Sequence, residues 1–247
     1  MSIFDNTKLK SEKWEQFPGM FLTVEGPDGS GKTTVMPRII ETLKEGGIEP
    51  VVVRQPGGSP FAEKIRQLVL GTEDTGEPVQ YIAEALLFAA ARSQCLESVV
   101  KPALREGKVV VADRWYDSNY AYQGEGRGMI AEVEMLEKMV EGHFRPDVTL
   151  FLKISLGAAQ ARLANRKKEF NRMNAEEMLF KSRTFDGYKF RRDFNTHRMV
   201  DINAEQSVDL VLAEVDEFIF NRFIPAYKAR KMYMASHDAL FPQQAVA

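Results

Sequence analysis

The chain has 247 residues, 44% hydrophobic and 28% charged, a composition that excludes disordered, collagen-like and disulfide-scaffold classes and suits one substantial folded domain. Its 33 Lys and Arg against 35 Asp and Glu leave a net charge of −2, without the basic excess of a dedicated nucleic-acid binder, so no stable nucleic-acid binding is expected. The longest apolar run, Ala85 to Ala91, falls far short of the roughly 18 residues of a membrane-spanning helix. The start of the chain has neither the apolar core nor the cleavage site of a signal peptide. The lone Cys95 has no partner for an internal disulfide, and a cytoplasmic setting is expected.

In chain order, residues 1–19 read as a polar N-terminal arm ending in Pro18 and Gly19. Strands are expected at Phe21 to Glu25, Pro50 to Arg54, Lys108 to Asp113, Val148 to Lys153 and Met199 to Asn203, all short and mostly apolar. Between and after them, helix-period segments run near Lys32 to Glu45, Pro60 to Leu70, Val79 to Arg105, Ala131 to Glu141, Leu156 to Lys168, Ala175 to Phe194 and Ser207 to Ala226. This alternation predicts an α/β fold with a parallel sheet. Continuous runs such as Val109 to Val111 suit strands covered on both faces. The main domain is expected over 20–228, with a C-terminal tail over 229–247.

The segment GPDGSGKTT, Gly26 to Thr34, fits the P-loop pattern and lies where its mechanism needs it, after a strand and opening a helix. Gly26, Gly29 and Gly31 let backbone N–H groups turn inward without a Cβ in the way, and the helix N-terminus adds free donors and positive dipole for polyphosphate. Asp28 and Ser30 lie in the loop and Thr34 follows it. Lys32 is expected to reach the β- and γ-phosphates, and Thr33 to supply a hydroxyl for Mg²⁺, with ATP as the nucleotide. Asp113, at the C-terminal end of an apolar strand, stands where open α/β sheets bind ligands and is a second candidate for the metal, directly or through water. For an isolated Asp, a strand-end turn residue or helix N-cap is the favoured reading. Its neighbour Arg114 favours function, because a guanidinium binds phosphate bidentately.

Five ordered blocks then matter together: GPDGSGKTT, RQPGGSPFAEKIR (Arg54 to Arg66), LLFAAARSQ (Leu86 to Gln94), DRWYDSNYAYQGEGRG (Asp113 to Gly128) and RPDVTLFL (Arg145 to Leu152). In these the chain resembles the thymidylate kinase family of P-loop nucleoside monophosphate kinases, from about Phe21 to about Tyr227. The resemblance implies a P-loop NTPase fold with a five-stranded parallel sheet flanked by helices on both faces, a small basic helical lid over about 160–174, a homodimer, and transfer of the ATP γ-phosphate to dTMP. It also implies that Arg54 and Arg114 clamp the acceptor phosphate, that Phe88 and Arg92 stack on and hydrogen-bond the thymine, and that Ser118 and Asn119 contact the pyrimidine edge. Tyr122 crowds the sugar 2′ position, and Asp28 meets the 3′-hydroxyl or its water. Phe88 and Arg92 are four apart, so they share a helix face; a core Phe with a snorkelling Arg is the plainer reading.

From Arg162 to Arg198 there are 11 Lys and Arg against 5 Asp and Glu, a local 11 − 5 = +6. A solvated helix face, a nucleic-acid patch and a mobile lid all fit such a run. Some members of the family carry an arginine inside the P-loop where this chain has Gly29 and Ser30, so the resemblance points to a lid as the source of positive charge, through Arg162, Arg166 and Arg172. The chain departs from the family pattern at Gln55, where Glu is frequent, at Asn171 and Asn174, where acids are usual, and at Phe185, where another arginine is often found. A kinase for another or a 5-modified deoxynucleotide monophosphate, and a P-loop switch or DNA-associated ATPase, are the competing functions. His143, His197 and His237 fall in none of the motif blocks, and neither zinc nor thiol chemistry is indicated.

Overall fold

A computed structural model of the chain describes residues 17–71, 76–164 and 177–240, with side chains described to 236. Five parallel strands form the sheet: β1 (Met20–Glu25), β2 (Val51–Arg54), β3 (Val109–Asp113), β4 (Val148–Lys153) and β5 (Met199–Asn203), in the order β2-β3-β1-β4-β5. All five expected strands are present, with ends moved by no more than a residue. The register sets Val24 opposite Asp113 and Arg54 opposite the same residue, so the C-terminal ends of β1, β2 and β3 meet at one edge. That edge is where the strand order reverses, the usual ligand crevice of such sheets.

Strand residues alternate between two apolar layers. Met20, Leu22 and Val24 of β1 pack with Val35, Ile39 and Leu43 of α1 (Lys32–Glu45) and with Val211 and Val215 of α9 (Val208–Phe218). Phe21 faces the other way, packing with Val110, Ala112 and Trp115 and with Leu96, Val100 and Leu104. Thr23 and Glu25 share its side of the strand by the period of two. They are polar and fully buried, and therefore need internal partners. Thr23 finds one in Thr149, hydroxyl to hydroxyl at 2.7 Å.

The remaining helices are α2 (Pro60–Val69), α3 (Tyr81–Cys95), α4 (Lys101–Arg105), α5 (Tyr116–Asn119), α6 (Ile130–Glu141), α7 (Leu156–Ala164), α8 (Met178–Phe194) and α10 (Ile224–Leu240). The single helix expected over Val79 to Arg105 is α3 and α4 joined by a π-helical turn at Leu96–Val100. A helical stretch that sequence reasoning did not foresee follows β3, made of α5 and a π-helical turn at Tyr120–Gly126. Gly124 and Gly126 lower helix propensity there, but packing overrides it. The ring of Phe180 and the hydroxyl of Thr184, both on α8, come so close to Gly126 that a Cβ would lie 2.7 Å from the ring.

The expected domain limits fall inside ordered structure. Phe17 is buried and sets its ring edge-on to Phe144 at 5.9 Å. At the other end α10 runs straight through residue 228, and the buried Arg230 donates to the Gly19 carbonyl at 2.9 Å and to Asp147 at 2.8 Å. Of the expected lid, 160–164 belong to α7; 165–174, with Arg166, Arg172, Asn171 and Asn174, lie outside the described residues.

Candidate active site

The loop between β1 and α1 has Gly26, Gly29 and Gly31 at φ +146°, +86° and +101°, a backbone that side-chain-bearing residues rarely adopt. Gly29 also lies against α7, where a Cβ would sit 2.5 Å from the Ala159 carbonyl oxygen. Lys32 folds back over the loop and donates to the Gly26 and Pro27 carbonyls at 2.8 and 3.0 Å. Burial, with Arg114 nearby, lowers its ammonium to about 8 despite the acids Asp28, Asp113 and Glu25. A phosphate brought to this amine favours its charged form. Thr33 and Thr34 are exposed at the helix start, and the Thr34 amide donates to the Gly31 carbonyl at 2.9 Å.

Arg114 joins this loop to a second space. Its backbone is left-handed at φ +70°, with its N–H donating to the Val24 carbonyl at 3.0 Å. The guanidinium donates through Nη1 to the Gly26 carbonyl (2.9 Å), Ser118 Oγ (3.1 Å) and Tyr188 OH (2.7 Å), and through Nη2 to Asp28 (2.5 Å). It lies 5.2 Å from the Tyr122 ring centre. Burial opposes ionisation of Asp28, but Arg114 and Lys32 outweigh it and hold the carboxyl below its ordinary value.

Beyond Arg114 opens a cleft of about 660 Å³, lined by Asp28, Phe88, Arg92, Arg114, Ser118, Asn119 and Tyr122 together with Gln55, Pro56, Arg66, Leu70, Trp115 and Gln123. Seven of the eight residues the resemblance assigns to the acceptor thus meet here. One face is aromatic, through Phe88. The other is a relay of buried polar groups: Arg92 donates to Glu141 and, at 2.5 Å, to Asn119; Asn119 donates to Gln123 at 2.7 Å; and Gln123 donates to Glu84 at 2.7 Å. Among the described residues Arg92 Nη2 has no hydrogen-bond partner.

The exception is Arg54. It is half exposed and forms a two-armed ion pair with Glu63, at 2.6 and 3.1 Å, outside the cleft wall. The cleft arginine on this side is Arg66, which donates to the Pro56 carbonyl at 2.8 Å. Arg66 closes the RQPGGSPFAEKIR block, yet only its place on α2, started by Pro60 with Ser59 accepting from Ala62 N at 3.3 Å, turns it inward. Ser118 lines the cleft as expected of an acceptor-side residue, and its hydroxyl is engaged by Glu25 and Arg114. Gln55 is buried in the wall, beside the Cys95 thiol. Phe185 packs against the apolar layer of β1 and α1.

The basic run resolves into parts. Arg191 and Arg198 are ion-paired to the fully buried Asp117, each at 2.8 Å, and Arg192 pairs with Asp193 and Asp201. Burial works against the Asp117 carboxylate, yet these two guanidinium groups bring it down to about 2. Arg162 donates to the Ala204 carbonyl at 2.6 Å, tying the end of α7 to the segment after β5. Asp113, at the end of β3, has one buried carboxylate oxygen without a hydrogen-bond partner among the described residues.

A glycine cradle for polyphosphate, linked by one arginine to an aromatic and polar cleft, defines a P-loop nucleoside monophosphate kinase. The thymidylate kinase family model matches residues 24–215. The thymidylate kinase of Alkalilimnicola ehrlichii is 40% identical over 200 residues, covering 81% of this chain and 91% of the relative. That of Hahella chejuensis is 41% identical over 198 residues, 80% of this chain and 94% of the relative. That of Mesoplasma florum is 38% identical over 214 residues, 86% and 100%. The chain belongs to the thymidylate kinase family.

Proposed function

We propose that the protein transfers the γ-phosphate of ATP to dTMP, giving dTDP and ADP. The observation that carries this reading is the position of Arg114, whose guanidinium touches the P-loop backbone at Gly26 and the cleft residues Asp28, Ser118 and Tyr122 at once. A donor triphosphate on the loop and an acceptor monophosphate in the cleft then meet at one fixed cation. Phosphoryl transfer has a loose transition state, so alignment and neutralisation of oxygens supply most of the rate. The acceptor phosphate, with its second pKa near 6, is already a dianion at neutral pH and needs little from a general base.

Lys32 holds the β- and γ-phosphates, the loop amides hold the donor's oxygens, and Phe88, Arg92 and Asn119 receive the base. Tyr122 limits room at the sugar. The donor set also fits Mg²⁺: the free carboxylate oxygen of Asp113 and the Thr33 hydroxyl are hard oxygen ligands at the loop edge. When bound, the ion neutralises phosphate oxygens. Arg166 and Arg172 act from the segment after α7 on the transferring group. The family likeness further supports a homodimer working in the cytoplasm; no helix among the described residues is long and apolar enough to cross a membrane.

A coupled assay of ADP release across dTMP, dUMP, dGMP and 5-substituted dUMP, with and without Mg²⁺ and DNA, tests the reading. Strict dependence on a monophosphate, best with dTMP, is expected. DNA-stimulated hydrolysis without dTDP refutes it. Arg166→Ala or Arg172→Ala should lower kcat far more than they raise the KM for dTMP; unchanged turnover in both removes the lid assignment.

A further inference from the structure

The Glu25 carboxylate is fully buried at the end of β1, and no part of the transfer described above uses it. All its hydrogen bonds lead to Arg114. Oε1 accepts from the backbone N–H groups of Trp115 (2.7 Å) and Ser118 (3.2 Å), fixing the turn that leaves Arg114. That turn needs fixing, because a left-handed non-glycine residue costs about 1–2 kcal/mol and persists only where its surroundings determine it. Oε2 accepts from Ser118 Oγ (2.5 Å) and Tyr188 OH (3.3 Å). These are the same two hydroxyls that receive Arg114 Nη1.

Counting hydrogens gives the contacts a direction. Arginine can only donate, and each hydroxyl has one hydrogen. Ser118 gives its hydrogen to Glu25, so in its 2.7 Å contact with Tyr188 the tyrosine donates, its one hydrogen shared at longer range, 3.3 Å, with Glu25 Oε2. The lone pairs of both hydroxyls are thereby left for Arg114. A carboxyl protonated on Oε2, or an amide there, donates into Ser118 Oγ and displaces the serine hydrogen toward Tyr188 or Arg114, so the ordered pair of acceptors that received Nη1 is lost.

We propose that Glu25 is a positioning residue for the phosphoryl acceptor: as a carboxylate it orders the Ser118 and Tyr188 hydroxyls and the 114–118 backbone so that the Arg114 guanidinium stays fixed between P-loop and cleft. The proposal rests on reading Arg114 as the acceptor clamp. Because Tyr188 belongs to α8, which lies within the basic run of Arg162 to Arg198, the same contacts tie that helix to the acceptor site. Burial, and next the Asp117 carboxylate on α5, raise Glu25 to about 7, against the pull of Arg114. Lys32 of α1 and Tyr188 of α8 also face it.

Glu25→Gln keeps the shape and the Oε1 acceptor but places a donor where Oε2 accepted. Losing a charge-assisted hydrogen bond predicts a fall in kcat/KM for dTMP of roughly ten- to a hundredfold, with the KM for ATP within about twofold of wild type. In a cycle with Tyr188→Phe the combined loss should fall well short of the product of the single losses, since both act through one chain of contacts. Wild type should also show a step in kcat/KM for dTMP near pH 7 beyond that of the substrate phosphate, and Glu25→Gln should lack it. Wild-type kcat/KM in Glu25→Gln, or equal damage to both substrates with losses that multiply, overturns the proposal. If Glu25→Gln does not fold, Ser118→Ala and Tyr188→Phe probe the same chain, and normal use of dTMP by both overturns it. Arg114→Ala separates the two layers: normal kcat/KM for dTMP there refutes the clamp, and Glu25 with it, whereas an impaired Arg114→Ala beside a normal Glu25→Gln refutes Glu25 alone.

Discussion

Replacing Gly29 by alanine sets the phosphate loop against the helix behind it. At φ +86° the new side chain adds a left-handed strain of about 1–2 kcal/mol. Its Cβ would also stand 2.5 Å from the Ala159 carbonyl oxygen and 3.1 Å from the carbonyl carbon. These are helix backbone atoms, so α7 must retreat by roughly 1 Å to restore ordinary contact, an overpacking cost of about 1–3 kcal/mol. The total is about 2–5 kcal/mol. Gly31→Ala is the internal control, because Gly31 has φ +101° but a methyl group there would meet nothing within 4 Å; it should lose only the strain. Urea unfolding of the two variants and wild type, with the KM for ATP beside it, measures the difference. Gly29→Ala should be the less stable by at least about 1 kcal/mol and bind ATP more weakly. Equal stability of the two variants refutes the reasoning that α7 is seated on the loop. By the same contact, Gly29→Arg is expected to destabilise the protein at least as much as Gly29→Ala, since its Cβ meets the same α7 backbone.

Two further predictions concern buried charge. Asp117, held at about 2 against an ordinary 3.8, contributes stability that is fully present above the unfolded value and is lost as pH falls through the folded one. Asp117→Asn should cost about 3–5 kcal/mol near neutral pH, by leaving Arg191 and Arg198 without their shared anion, and the two stability curves should converge as pH drops from about 4 toward 2; parallel curves in acid denaturation contradict this. Glu25, raised to about 7, acts in the opposite sense but in the separate window above 4.5. Arg230→Ala should destabilise the protein by about 3–5 kcal/mol, since the mostly buried Asp147 loses its guanidinium partner while still accepting from Phe21 N at 2.7 Å; a change under about 0.5 kcal/mol in urea unfolding, the range of ordinary surface substitutions, shows that α10 is not held there.

What was legible in the sequence was local. The P-loop is one contiguous stretch whose glycines, lysine and hydroxyl act through their own backbone, and five apolar runs mark five strands because a sheet covered on both faces needs them. Helical spacing puts Phe88 and Arg92 on one helix face, and the family resemblance singles the pair out. Tertiary structure decided what depends on distant partners. Arg54 and Arg66 stand at the two ends of one block with the same charge, and only Glu63 and the direction of α2 send one outward and the other into the cleft. The helical stretch after β3 contains glycines that argue against a helix, and the packing of α8 on Gly126 outweighs that local preference. Arg191 and Arg198 look like any lysine- and arginine-rich surface until Asp117, more than seventy residues earlier, neutralises them in the interior. Glu25 is the clearest case. At the end of an apolar strand nothing local marks it, and its role exists only because the chain returns twice, at Ser118 and at Tyr188, to bring hydroxyls to a carboxylate that burial would otherwise forbid.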